Sequence, residues 1–232
     1  MTSPNTPDNA RDAVLQAALP HVPFDGWSET TLRAAITDSG VTEGLARALF
    51  PRGGIDLAVA FHQQGDARMR ETLVTTDLTQ MRFRDRIAFA IRTRLDLVED
   101  RELVRRGTTL FALPQHAAEG ARLIWGTADA IWTALGDTTR DLNWYSKRAT
   151  LSAVYGSTVL YWLGDDTPGH QATWDFLDRR IADVMQIESL KAKLRENPLG
   201  KALLAGPAKV MEKWRVPTVP DDLPGKIMDR FR

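Results

Sequence analysis

What most constrains this chain is the spacing of its apolar residues. They recur every three or four positions between Pro and Gly breaks along most of its length. That period lines side chains along one face of a helix. No stretch alternates apolar and polar residues convincingly, and no Asn-Gly hairpin signal interrupts the pattern. A first helix is expected from about Asp8 to Leu19, stopped by Pro20 and Pro23, which cannot continue one. Ser28 is placed to cap a second, carrying Leu32, Ala35 and Ile36 and ending at Ser39-Gly40. Thr42 caps a short third through Leu45, Ala48 and Leu49 before Phe50-Pro51 and Gly53-Gly54 break the chain, and a longer fourth uses Leu57, Phe61 and Met69.

From Phe83 the residues Phe83, Ile87, Ile91, Leu95 and Val98 form a stripe flanked by Arg82, Arg84, Arg86, Arg92 and Arg94, read as a solvated basic face. Two long helices with little charge are expected at about Ala118–Leu135 and Asp141–Leu163. Helices without a polar face are buried centrally or line an apolar cavity. After a turn at Asp165–Gly169, a further helix carries Trp174, Leu177, Ile181 and Val184. The fold class is all-α, with nine or ten helices.

Charge sharpens this picture. The 232 residues balance 30 Lys+Arg against 30 Asp+Glu, but unevenly. Residues 1–60 hold four basic and seven acidic side chains, net −3, whereas residues 189–232 hold ten and five, net +5. Within that last segment Leu199, Leu203, Val210 and Trp214 share one helical stripe, with Leu204 and Met211 beside it. Lys201 lies opposite, and Lys209 and Lys213 flank the apolar face. A basic amphipathic helix of this kind reads as a peripheral membrane contact, the alternative being a helix docked on its own dimer.

Chemistry is hard to place. There is no Cys, hence no thiolate nucleophile and no Cys-ligated metal. His21, His62, His116 and His170 form no ligand pair at helical spacing, and His116 and Glu119, one turn apart, lack further partners. No repeated Glu-x-x-His, Gly-rich phosphate loop or Gly-x-Ser-x-Gly is present. The reading is a protein that is not an enzyme, without metal or cofactor. The N-terminal MTSPNTPDNARD has neither a signal peptide's apolar core nor a transit peptide's arginines. The expected location is a bacterial cytoplasm at the inner membrane, or the mitochondrial matrix face of that membrane.

Two resemblances follow from these residues. Ala17-Ala18-Leu19, Gly26-Trp27-Ser28, Ser39-Gly40-Val41-Thr42-Glu43-Gly44 and Phe50-Pro51 resemble the N-terminal helix-turn-helix of TetR regulators. DNA binding needs a basic face. The segment is acidic, and Arg47 is the sole basic residue of the would-be recognition helix, so nucleic acid is not expected as a partner. A TetR-type regulator with an apolar ligand is the alternative. Second, Asp141–Ala149 (DLNWYSKRA), Leu113-Pro114, Trp132 and Thr173–Leu177 (TWDFL) look like the lipid-binding accessory family of ubiquinone biosynthesis, the Coq-nine family.

That resemblance implies a TetR-like homodimer that binds an isoprenoid or quinone-type lipid and presents it to the di-iron demethoxyubiquinone hydroxylase. It implies docking through Asp141, Asn143, Trp144, Tyr145, Lys147 and Arg148. Candidate lipid contacts are Leu123, Trp125, Ile131, Trp132, Leu151, Val154, Tyr155 and Leu160, each of which plain core packing would also explain. The expected organisation is a helix-turn-helix region at 1–55, a lipid-binding and dimerisation bundle at 56–190, and the basic helix and tail at 191–232.

Overall fold

A computed structural model of the chain describes residues 6–138 and 142–196, and every regular element among them is helical. Chain order is α1 (Pro7–Ala18), α2 (Val22–Asp25), α3 (Glu29–Ser39), α4 (Glu43–Leu49), α5 (Gly54–Thr75), α6 (Phe83–Asp96), α7 (Arg101–Ala112), α8 (Ala117–Ala134), α9 (Leu142–Leu163) and α10 (Gln171–Glu196). Two compact units divide between Ala182 and Asp183. The expected basic helix, with Leu199, Lys201, Leu203, Leu204, Lys209, Val210, Met211, Lys213 and Trp214, lies outside the described residues, as does Asp141.

Caps explain where the helices start. Thr6 accepts from the Asn9 amide with Pro7 in the first turn, and Ser28 accepts from the Thr31 amide at 3.2 Å. Gly40 ends α3 in the left-handed conformation at φ 67°, where a side chain would be strained. α1, α3 and α4 form the helix-turn-helix. Its core of Val14, Leu15, Ala18, Leu32, Ala35, Ala46 and Phe50 runs without interruption into Leu57, Ala58 and Ala60 of α5 and Leu103 of α7.

Trp27 is the joint. Its ring lies 5.3 Å from that of Phe61, and its indole N–H donates to the Leu103 carbonyl at 3.0 Å. The start of α5 passes so close that a Cβ on Gly54 would sit 2.3 Å from the Trp27 carbonyl carbon and oxygen.

The expected elements do not include α7, although Asp100 caps it through the Glu102 amide at 2.8 Å and Leu103, Val104, Gly107 and Phe111 share one face. Two of its arginines bond carbonyls at the C-terminal end of α9 and in the turn just after it, where helical partners run out. Arg105 donates to the Leu163 carbonyl at 2.8 Å, and Arg101 to those of Trp162 and Asp165 at 3.3 and 2.7 Å. Asp165 then closes the turn into α10, accepting from the amides and hydroxyls of Thr167 and Thr173. These bonds hold its carboxyl below the usual range.

The basic stripe on α6 divides. Arg82 and Arg84 are exposed beside Asp85, and Arg92 lies over the Trp174 ring at 4.7 Å. Arg94 is not on a solvated face: it is buried and paired with Asp66 of α5 at 2.8 Å. The stripe's apolar spacing could not distinguish these, because position 94 lies at the edge of the buried face beside Ile91 and Leu95.

The fold makes two glycines respond oppositely. Gly54→Ala collides with Trp27 backbone and is expected to cost about 1–3 kcal/mol. Gly44→Ala, in α4 with open space around it, is expected to stabilise by up to about 1 kcal/mol. Paired thermal melts of the two variants check this.

Candidate functional site

α5, α6, α7, α8 and α9 enclose a cavity of about 480 Å³. That volume falls within the range of small-molecule sites, about 300–1,000 Å³. Its walls are mainly apolar: Trp27, Ala58, Phe61, Leu95, Val98, Leu103, Val104, Phe111, Leu123, Ile124, Val159 and Leu160. Small residues leave the room. Gly107, Gly120 and Gly156 come from three helices, and a Cβ on Gly120 would meet the Phe111 side chain at 2.7 Å. Exposed lining residues Ala112, Ala117, Ala121 and Leu160 mark where the cavity reaches the surface.

Of the expected lipid contacts, Leu123, Tyr155 and Leu160 line this cavity. Trp125, Ile131, Trp132, Leu151 and Val154 do not. Ile131, Leu151 and Val154 are buried in the core. The Trp132 indole donates to the Lys147 carbonyl at 3.2 Å and its ring faces Phe83 at 5.4 Å. The lining residues not among the expected contacts include all those of α7, the α5 and α6 residues Ala58, Phe61, His62, Arg94, Leu95 and Val98, and Trp27. A capped stripe from Asp100 to Phe111 was the available signal for α7; no local pattern signals that His62 and Arg94 meet.

A polar cluster from four helices stands at the cavity wall, which its His62, Arg94 and Tyr155 line. His62 and Asp66 lie one turn apart on α5, Arg94 reaches in from α6, Thr127 from α8 and Tyr155 from α9. The Arg94 guanidinium bonds Asp66 through Nε and donates through Nη2 to the His62 carbonyl at 3.1 Å. Thr127 Oγ1 donates to Asp66 at 3.0 Å and lies 2.8 Å from His62 Nε2. Gly65 makes this possible, since a Cβ there would approach Arg94 Cζ to 2.5 Å. Burial lowers the His62 pKa to about 4, leaving the imidazole neutral near pH 7, and burial raises that of the Tyr155 phenol.

A second feature lies on the α8–α9 surface. Trp125, Trp144 and Tyr145 form a row, Trp125 to Trp144 at 5.9 Å and Trp144 to Tyr145 edge-on at 4.8 Å. Tyr145 is 62% exposed and Asn143 is exposed beside it. Arg148 lies beneath that row, not on it. It is 2% exposed, held by Asp129 and Asp137, with its guanidinium 4.0 Å from the Trp144 ring centre. Lys147 is half-buried, paired with Asp137 at 2.8 Å and lying over Trp132. The local i to i+4 spacing of Trp144 and Arg148 makes the cation–π contact, so the arginine positions the ring.

The helix-turn-helix carries little free positive charge. Arg47 of α4 is bonded to Glu43 at 2.9 Å and to Glu29 of α3 at 3.0 Å. Among the described residues no three His, Asp or Glu side chains converge as metal ligands, and no helix is long and apolar enough to cross a membrane.

The arrangement is that of a TetR-like helical protein. A TetR transcriptional regulator of Nitrosomonas europaea superposes with a TM-score of 0.60 over 74% of this chain and 95% of its own, at 20% identity. That likeness is one of fold alone. Residues 117–188, from α8 into α10, match the sequence model of the COQ9 family. The chain is 32% identical over 188 residues to the mitochondrial ubiquinone biosynthesis protein COQ9 of Drosophila melanogaster, covering 79% of this chain and 57% of that protein. Against its namesakes in Rattus norvegicus and Homo sapiens it is 30% and 29% identical, each over 83% of this chain and 64% and 62% of theirs. The chain is thus similar to the COQ9 proteins and spans about three fifths of the length of these relatives.

The buried imidazole gives a pH signature. Between its ordinary value near 6.5 and its folded value of about 4, the unfolded chain binds a proton at His62 that the folded one refuses. Stability is therefore expected to fall as pH drops through that window, and His62→Gln should flatten the slope. Chemical denaturation at pH 4.5 and 7 compares the two proteins.

Proposed function

We propose that this chain is a non-catalytic accessory protein of ubiquinone biosynthesis that carries an isoprenoid or quinone-type lipid. The observation that supports this reading best is the cavity of about 480 Å³ with apolar walls, set in a chain similar to proteins named for ubiquinone biosynthesis. Burial of a lipid chain in such walls contributes roughly 25 cal/mol per Å² of apolar surface removed from water. In this reading the row of Trp125, Trp144 and Tyr145 is the surface that docks the di-iron demethoxyubiquinone hydroxylase. Exposed aromatic residues held rigidly from below are the kind that dominate binding interfaces. The protein works as a homodimer beside the membrane that holds the lipid, with the basic segment 191–232 as its peripheral contact.

DNA is not its partner in this proposal. Phosphate contacts require free basic side chains, and the only one on α4, Arg47, is held between two glutamates.

Gly156→Phe tests the cavity directly. The glycine lines it, a Cβ there makes only ordinary contacts with Ile124 at 3.7 Å, and a phenyl ring would occupy the space. Native mass spectrometry should show copurified lipid on the wild type and its loss from a variant with unchanged helical circular dichroism. Lipid-free wild-type protein would end the proposal.

The docking surface is examined with Tyr145→Lys, which alters an exposed side chain. Affinity for the hydroxylase is expected to fall by at least about tenfold, measured by biolayer interferometry. Unchanged affinity would remove Tyr145 from the interface.

A further inference from the structure

One stretch of the cavity is not apolar. Its mouth is marked by exposed Ala112 at the end of α7, Ala117 and Ala121 on α8 and Leu160 on α9. Thr127, the anchor of the polar cluster behind the cavity wall, is six residues beyond Ala121 and ten beyond Ala117 on the same helix, about 9 and 15 Å at 1.5 Å per residue. Tyr155 is correspondingly deeper than Leu160 along α9, and both Tyr155 and Arg94 are buried while still lining the cavity. The polar groups therefore lie at the far end from the mouth, with apolar wall between.

Packing alone does not account for them. Replacing a buried ion pair with apolar residues is often neutral or stabilising, so such a pair is weak evidence for stability. Here the arginine of the pair lines a void, with Asp66 behind it, and Gly65 is kept clear for the guanidinium. A guanidinium has five N–H donors; Nε is engaged by Asp66 and Nη2 by the His62 carbonyl. The charges of Arg94 and Asp66 cancel, and His62 is neutral. A carboxylate or phosphate entering here would add an uncompensated buried charge, which costs several kcal/mol. A neutral oxygen would gain hydrogen bonds at no such cost.

We propose that His62, Arg94 and Tyr155 form a head-group subsite: the cavity takes its amphiphile head first, with a neutral carbonyl or hydroxyl oxygen at this cluster and the apolar tail leading to the mouth at Ala117, Ala121 and Leu160. The inference rests on the lipid-carrying reading of the same cavity and adds orientation and head-group chemistry to it. Two roles follow for the three residues. Arg94 and Tyr155 meet the head oxygen, and His62, tied to Thr127, completes the polar wall.

Isothermal titration calorimetry of the full chain with three probes of equal tail tests this: decyl-benzoquinone, decylbenzene and decanoate. The wild type should bind the quinone about tenfold more tightly than decylbenzene, and more tightly than decanoate. Tyr155→Phe and His62→Leu should each remove about fivefold of the quinone's affinity and leave decylbenzene unchanged. The double variant Arg94→Met with Asp66→Leu removes both charges together, so neither is left unpaired, and should abolish the preference for the quinone. Thermal melts show that each variant is folded. Equal binding of quinone and decylbenzene by the wild type, or variants that weaken both alike, would overturn the subsite and leave the lipid cavity standing. Tighter binding of decanoate would overturn the neutral head group. Failure of all three probes to bind would instead remove the lipid-carrying reading, and the subsite with it.

Discussion

The Arg94–Asp66 pair, at 2.8 Å between α6 and α5, is the contact around which the cavity is organised. A buried charge must be paired and hydrogen-bonded or it destabilises the fold by several kcal/mol. Asp66 accordingly recruits Thr127 from α8, Thr127 contacts His62, and Arg94 is bonded to the His62 carbonyl. Four helices are thus fixed in depth and rotation at one point, with Tyr155 of α9 against the same cluster. The apolar walls above it do not pack to closure, because glycines on α7, α8 and α9 face the space between them.

Arg148 does the same work at the α8–α9 surface. Its charge is met by Asp129 and Asp137, and its guanidinium supports the Trp144 ring from below. An aromatic side chain held this way loses little freedom on binding a partner, which preserves affinity. The two buried arginines therefore divide the molecule's tasks, one shaping an interior and the other a surface. The amino-terminal helix-turn-helix keeps the TetR-like geometry while Arg47 is neutralised by glutamates on two helices, so fold and nucleic-acid function part company here.

Periodicity made most of the helices legible, with ends at Pro20, Ser28, Gly40 and Leu163 read from caps and breakers. The short α2 and the whole of α7 were not legible in the same way. α2 is four residues long, below any periodic signal. α7 carries Arg101, Glu102, Arg105 and Arg106 on one side, and its value lies in covering a space that the sequence does not display. Among the lipid candidates, Leu123 and Leu160 face the cavity whereas Leu151 and Val154 pack in the core. Each is an apolar residue on a long apolar helix, and only the rotation of α8 and α9 against their neighbours separates them.

By itself the sequence determined an all-helical chain, its acidic first sixty residues and its COQ9 resemblance, because helix spacing, charge and motif order are local properties of the chain. Only the tertiary structure decided which arginines are buried. Arg94 and Arg92 sit two positions apart on one helix, yet one is paired inside the bundle and the other lies exposed over Trp174. It also decided that His62 and Arg94, thirty-two positions apart, face one cavity. Convergence of side chains from four helices depends on how those helices cross, and crossing is set by packing that no single segment encodes.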